Sequence, residues 1–213
     1  GHGRIPVRGS FPARPEAPSM TRQLARMLLR LLGWRIEGAV PAAPCYVLVG
    51  APHTSSWDLP LMLLMARAAG LPVRWFAKHE LFRPPLGWLL RPLGGIPVVR
   101  HRRENLVELA AEALREADTL ALLVAPEATR AQRDHWKSGF YHIARTASVP
   151  VVPAALDYRR RVAALGPELQ VGADPAGLMD RLRHFYAGRG ARWPGKFGAV
   201  RLREEESEDS RAD

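Results

Sequence analysis

The stretch "CYVLVGAPHTSSWDLPLMLL", residues 45–64, decides how the rest of the chain is read. Cys45 to Ala51 form a short apolar run with β-branched and aromatic members, bounded by Pro44 and Pro52, which is the pattern of a buried strand. From Leu59 onward, Leu59, Met62, Leu63 and Ala66 return at the three-to-four spacing of one helix face. Thr54 or Ser55 is placed to cap that helix, with Asp58 near its positive end. His53 stands in the loop, five residues ahead of Asp58. Inside a single helix that offset would turn the two side chains apart. Across a loop-to-helix corner the imidazole can fold back over the carboxylate, and the pair becomes a base with a group that orients it.

The alternation continues on the C-terminal side. "VRWFA" (73–77) and "IPVV" (96–99) are strand candidates, and "ENLVELAAEALREA" (104–117) reads as a helix. "TLALLVAP" (119–126) and "VPVVPAAL" (149–156) read as buried strands. A further helix is predicted after Asp174 as cap and Pro175 as first helical residue, with Gly188 as terminator. Strands alternating with helices argue an α/β fold, with a mostly buried sheet flanked by helices in one domain and no internal repeat. Chemistry in such folds collects where loops leave the carboxyl ends of the strands. His53, Asp58 and the segment "PEATR" (126–130) are therefore expected at one edge.

On the N-terminal side, Leu24, Met27, Leu28, Leu31 and Leu32 follow helical spacing while Arg22, Arg26 and Arg30 fall elsewhere on the wheel. This is an N-terminal basic amphipathic helix. Two readings fit it: packing on the domain's own core, or lying in a membrane interface. Residues 1–19, rich in Gly, Pro and Arg, read as a leftover or disordered extension, 20–202 as the domain, and 203–213 as a disordered acidic tail.

With 213 residues, 47% hydrophobic and 24% charged, the chain is globular and large enough for one substantial core. A single cysteine, Cys45, and no apolar leader favour a reducing, cytoplasmic setting. The longest apolar stretch, 59–73, contains Arg67 and two prolines and falls short of the roughly 20 residues of a membrane span. The formal charge is +10; the tail holds six acids and two arginines, net −4, which leaves +14 on residues 1–202. Such a surface suits nucleic acid, acidic lipid headgroups or a phosphorylated small molecule. His79, His101, His135 and His142 show no metal-ligand spacing, and no cofactor is expected. His79 and Glu80 could form a local cap or ion pair.

Taken together, four blocks in order resemble the 1-acyl-glycerol-3-phosphate acyltransferase family, the PlsC-type lysophospholipid acyltransferases. They are "HTSSWD" (53–58), "GGIPVVR" (94–100) with Gly94, Ile96 and Arg100, "PEATR" (126–130), and "VPVVP" (149–153). "KHELF" (78–82) and "WKSGF" (136–140) also look like family segments, and the resemblance covers about residues 45–157. Ala128 stands where the family usually has glycine, and Pro97 where an aromatic is common. The resemblance implies a glycerol-phosphate acyltransferase-like mixed sheet. It also implies transfer of a fatty acyl group from acyl-CoA or acyl carrier protein, as donor substrate, to a lysophospholipid hydroxyl.

In that reading His53 is the general base and Asp58 fixes its tautomer. Gly94, Arg100, Glu127, Thr129 and Arg130 match blocks that hold the phosphorylated acceptor, with Lys137 a further anion-site candidate. Glu127, itself an anion, is assigned to the acceptor's glycerol hydroxyl or to positioning an arginine. Lacking a span, the chain is expected to be peripheral, on an anionic membrane surface at the inner face of the cell membrane. Two other classes remain open: a thioester or ester hydrolase using the same pair, and a basic nucleic-acid-binding module presenting Trp34, Trp75, Trp136 and Trp193. No nucleic-acid recognition motif accompanies that charge.

Overall fold

The apolar run that opens the reading becomes strand β2 (Cys45–Gly50), every residue of it buried. Its alternate side chains enter two separate cores, which is why the run shows no polar face: Val47 and Val49 pack on one side, Tyr46 and Leu48 on the other. The computed structural model describes residues 19–98 and 106–205. Among these, a seven-stranded sheet has the order β1-β7-β6-β2-β5-β3-β4. Its other strands are β1 (Arg35–Glu37), β3 (Val73–Lys78), β4 (Gly95–Val98), β5 (Leu120–Val124), β6 (Val151–Asp157) and β7 (Val162–Leu165). β6, β2, β5, β3 and β4 run parallel. β7 turns back antiparallel to β6, and β1 lies parallel to β7. The sheet is mixed.

Helices α1 (Ser19–Leu31) and α2 (Asp58–Ala69) cover one face. α4 (Leu106–Glu116), α5 (Gly139–Ala147) and α6 (Ala176–Tyr186) cover the other. A short α3 (Leu86–Leu90) follows a 3₁₀ turn over His79–Phe82. That turn leaves His79 and Glu80 exposed. The helix after Asp174 begins one residue later than read: the Asp174 carboxylate accepts the Ala176 N–H at 2.8 Å, and Pro175 takes the cap position. At the far end, contacts run on through Glu205, which pairs with Arg183 at 2.8 Å, so the acidic end is tied down further than residue 202.

The amphipathic helix α1 packs on the core through a narrow stripe and leaves its broad apolar face outward. Its buried residues are the small stripe Ala25 and Leu29, while Leu24, Met27, Leu28, Leu31 and Leu32 are 41–75% exposed. The core-packing reading of those five residues is thereby corrected. Trp34, Trp75 and Trp136 lie in the interior and Trp193 outside, so three of the four aromatics named for a nucleic-acid surface are core residues. No helix among the described residues is long and apolar enough to cross a membrane.

Candidate active site

Three neighbouring parallel strands, β6, β2 and β5, end at one edge, and the loops leaving them carry the site. β2 runs into the loop holding His53, β5 into "PEATR", and β6 ends one residue before Tyr158. α2 begins at Asp58, which is 4% exposed. The expected capping is inverted. No side chain caps α2; instead Oδ2 of Asp58 accepts the backbone N–H groups of Thr54 and Ser55, both at 2.7 Å. Two backbone donors on a buried carboxylate satisfy the charge that burial would otherwise penalise. They also bend the loop back over the helix start, which brings His53 Nδ1 to 3.5 Å from the same oxygen. Burial holds the His53 imidazole below its ordinary pKa, the Asp58 charge pulls it up, and the Arg130 charge pushes it down again. The net is a histidine biased toward its neutral, proton-accepting form.

Glu127 lies under the histidine loop. It is 4% exposed, and its Oε2 accepts the backbone N–H of His53 at 2.6 Å. Its other oxygen, Oε1, is buried without a hydrogen-bond partner. Burial pushes its carboxyl up to about 7; the His53 N–H acts against that rise and the Asp58 charge adds to it. The residue tethers the histidine loop through that N–H. Nothing local in the sequence signals a backbone partner 74 residues away.

Arg130 reaches the same loop from the exposed side, its guanidinium donating to Ser56 Oγ. Thr129 makes a local turn, its Oγ1 accepting the Ala131 N–H at 3.3 Å. Lys137 is exposed, and its backbone N–H bonds Pro126 O at 2.8 Å, bracing the start of the "PEATR" loop. Ala128 sits at φ 55, a left-handed conformation open to glycine without cost. The usual family glycine there has a backbone reason. Gly94 is likewise structural: at φ +88, a Cβ would lie 2.4 Å from Val73 O. It precedes β4 at its amino end, at the opposite edge of the sheet from His53 and Asp58. Arg100 lies outside the described residues.

Beside the His53–Asp58 pair opens a cleft of about 190 Å³, lined on its inner side by Leu59, Met62, Trp75, Phe76, Leu123 and Leu156. Tyr158, absent from the sequence reading, donates its hydroxyl to Asp58 Oδ1 at 2.7 Å. Trp193, from the segment after α6, donates its backbone N–H to Thr54 Oγ1 at 3.3 Å and leaves its ring half exposed.

An imidazole 3.5 Å from a buried carboxylate, at the carboxyl edge of a mixed α/β sheet and beside an apolar cleft, is suited to moving a proton next to an apolar substrate. The family comparison supplies the class. The family model described as Acyltransferase matches residues 35–157, more than half the chain, and the protein belongs to that family. Its fold is similar to the crystal structure of the 1-acyl-sn-glycerophosphate (LPA) acyltransferase PlsC from Thermotoga maritima. That match has a TM-score of 0.55 and 20% identity, and covers 78% of this chain and 73% of that one. No curated protein shows significant sequence similarity to the chain.

Proposed function

We propose that the protein transfers a fatty acyl group from a thioester donor, acyl-CoA or acyl carrier protein, to the hydroxyl of a lysophospholipid, above all 1-acyl-glycerol-3-phosphate. The observation that carries this reading is the placement of His53 and Asp58 at the head of an apolar cleft. Asp58 faces Nδ1, which leaves Nε2 to take the proton of the acceptor hydroxyl as its oxygen attacks the thioester carbonyl. A carbon–oxygen bond forms, the carbon–sulfur bond breaks, and the proton passes from the imidazolium to the departing thiolate. The acceptor hydroxyl is the nucleophile, so no covalent serine is required. The apolar lining supports a place for the acyl chain beside the reacting carbon. The deciding experiment is purified protein with labelled acyl-CoA and a panel of lysolipids, with mass analysis of the products. Acylated lysolipid is the expected product. Free fatty acid alone, released without any acceptor, would make the protein a hydrolase.

Arg130, at the mouth beside Ser56, is the described residue that best suits the acceptor phosphate, with Arg100 assigned to the same role on the family resemblance. A guanidinium donates two parallel hydrogen bonds to phosphate, whereas an ammonium acts as a point charge. Arg130→Lys is expected to raise the KM for a phosphorylated acceptor by about tenfold, the loss of one charge-assisted hydrogen bond. The donor KM should be unchanged. Equal losses on phosphorylated and unphosphorylated acceptors in steady-state kinetics would make Arg130 a purely structural residue.

The outward apolar face of α1, flanked by Arg26 and Arg30, supports docking on an anionic bilayer at the inner face of the cell membrane. The exposed Trp88 and Leu89 of α3, between Arg83 and Arg91, add to it. Each arginine near such a surface contributes about 1 kcal/mol, screened as salt rises. Because Leu28 and Leu31 are exposed, changing both to Asp is expected to leave the thermal midpoint in place. The double change should lower sedimentation with anionic vesicles and lower activity on vesicles more than on monomeric short-chain substrates. A folded double variant with unaltered vesicle binding would assign docking to another surface.

A further inference from the structure

We propose that Tyr158 is a positioning residue of this site, its hydroxyl holding the Asp58 carboxylate in the orientation that serves His53. The catalytic consequence rests on the acyl-transfer reading above. Asp58 is almost fully buried, and its two oxygens are used differently. Oδ2 takes the Thr54 and Ser55 N–H groups and faces His53 Nδ1. Oδ1 takes the Tyr158 hydroxyl at 2.7 Å. Rotation of the carboxylate would trade one oxygen for the other, and the phenol on Oδ1, with the two N–H groups on Oδ2, opposes the rotation that would carry Oδ2 away from the imidazole.

Tyr158 is itself held. Its backbone N–H bonds Gly190 O at 2.8 Å. Its ring meets the edge of Trp34 at 5.1 Å and 89°, and the Arg192 guanidinium lies 5.7 Å from its centroid. A group that is rigid, adjacent to a buried acid and one residue past a core strand is well placed to fix a neighbour. Burial, with the Asp58 hydrogen bond and charge adding to it, pushes the phenol well above its ordinary range, so it remains a protonated donor at every working pH.

The hydrogen bond also shares the carboxylate's charge. The charged and titratable groups around His53 are Asp58 from α2, Glu127 and Arg130 from the loop after β5, and Arg192 behind Tyr158. Asp58 raises the imidazole pKa and Arg130 lowers it, while Glu127 engages the backbone N–H. Removing the phenolic donor leaves more of the Asp58 charge to act on the ring, so the His53 pKa should rise.

The test is Tyr158→Phe, which keeps the ring against Trp34 and therefore the fold. Two readouts are paired: the His53 ring titration followed by NMR, and the pH dependence of kcat/KM. The expected result is an upward shift of about half a unit to one unit in both, a fall in kcat of about tenfold, and unchanged KM values. A folded variant whose His53 titration and acidic limb coincide with the parent would overturn the proposal, whatever its stability. Absence of acyl transfer in the parent protein would instead overturn the functional reading, and the NMR titration would still decide the role of Tyr158.

Discussion

Replacing His53 by alanine is expected to lower acyl transfer by about 10² to 10⁴ while the protein stays folded, because the change removes a general base and little packing. The imidazole is 28% exposed. What secures the loop is the backbone: the His53 N–H on Glu127, and the Thr54 and Ser55 N–H groups on Asp58. All of these survive the substitution. The parent enzyme should also show an acidic limb. A base works only when neutral, and the folded-state pKa of His53 is depressed, so activity is lost as pH falls through a value below the ordinary 6.5. In the alanine variant that limb should vanish from the residual rate. Rates are read by donor-thioester consumption in the presence of acceptor, and folding by circular dichroism. Near-normal turnover in a folded His53→Ala protein would remove the base assignment.

The second large effect is expected from Asp58→Asn, a fall on the order of 10² to 10⁴, since an amide turned toward Nδ1 can hold the wrong imidazole tautomer. Here stability should move as well. The two backbone N–H groups on Oδ2 are charge-assisted hydrogen bonds, each worth about 1.5 to 3 kcal/mol against about 1 for a neutral acceptor. The thermal midpoint of Asp58→Asn should therefore fall, whereas that of His53→Ala should not. Calorimetry separates the two variants where activity alone would group them. An asparagine variant with parental stability and a steep loss of rate would mean that Asp58 acts on the imidazole alone. A variant with reduced stability and parental rate would mean that it acts on the loop alone.

Much of the framework could be read from local pattern. β2, β5 and β6 are long apolar runs that have to be buried on both faces, and α2, α4 and α6 carry helical spacing, with a cap at α6, so their positions followed from periodicity. β1 and β7, with only "RIE" and "VAAL" to mark them, are too short for a period to register, and both owe their conformation to pairing with distant strands. The amphipathic pattern of α1 showed that an apolar face exists but carried no information about what covers it. The His53–Asp58 pair was legible because loop and helix start are adjacent in the chain. Tyr158 was not, being 100 residues from its partner. Glu127 stood out by its motif, but its burial and its hold on a backbone N–H 74 residues away are properties of the packed loop. Ala128 and Gly94 show how a motif position can reflect backbone conformation as much as chemistry.

The reversal of β7 against β6 has a topological consequence for where α1 lies relative to the site. Because β1 runs with β7, the amino end of β1 lies at the edge where β6 ends, and Trp34, one residue before β1, touches Tyr158 there. The C-terminus of α1 is thus delivered to the rim of the site, and the helix runs back along α2, where Arg67 at the far end of α2 donates to Thr21 at 2.9 Å. Had those two strands followed the direction of the other five, α1 would have reached the opposite edge of the sheet. Two reversed strands set an outward row of leucines and the mouth of the apolar cleft on neighbouring parts of one fold. A molecule resting on that row would hold its cleft at a fixed height and tilt above the surface. Reach would then be set by the sheet, not by a flexible linker.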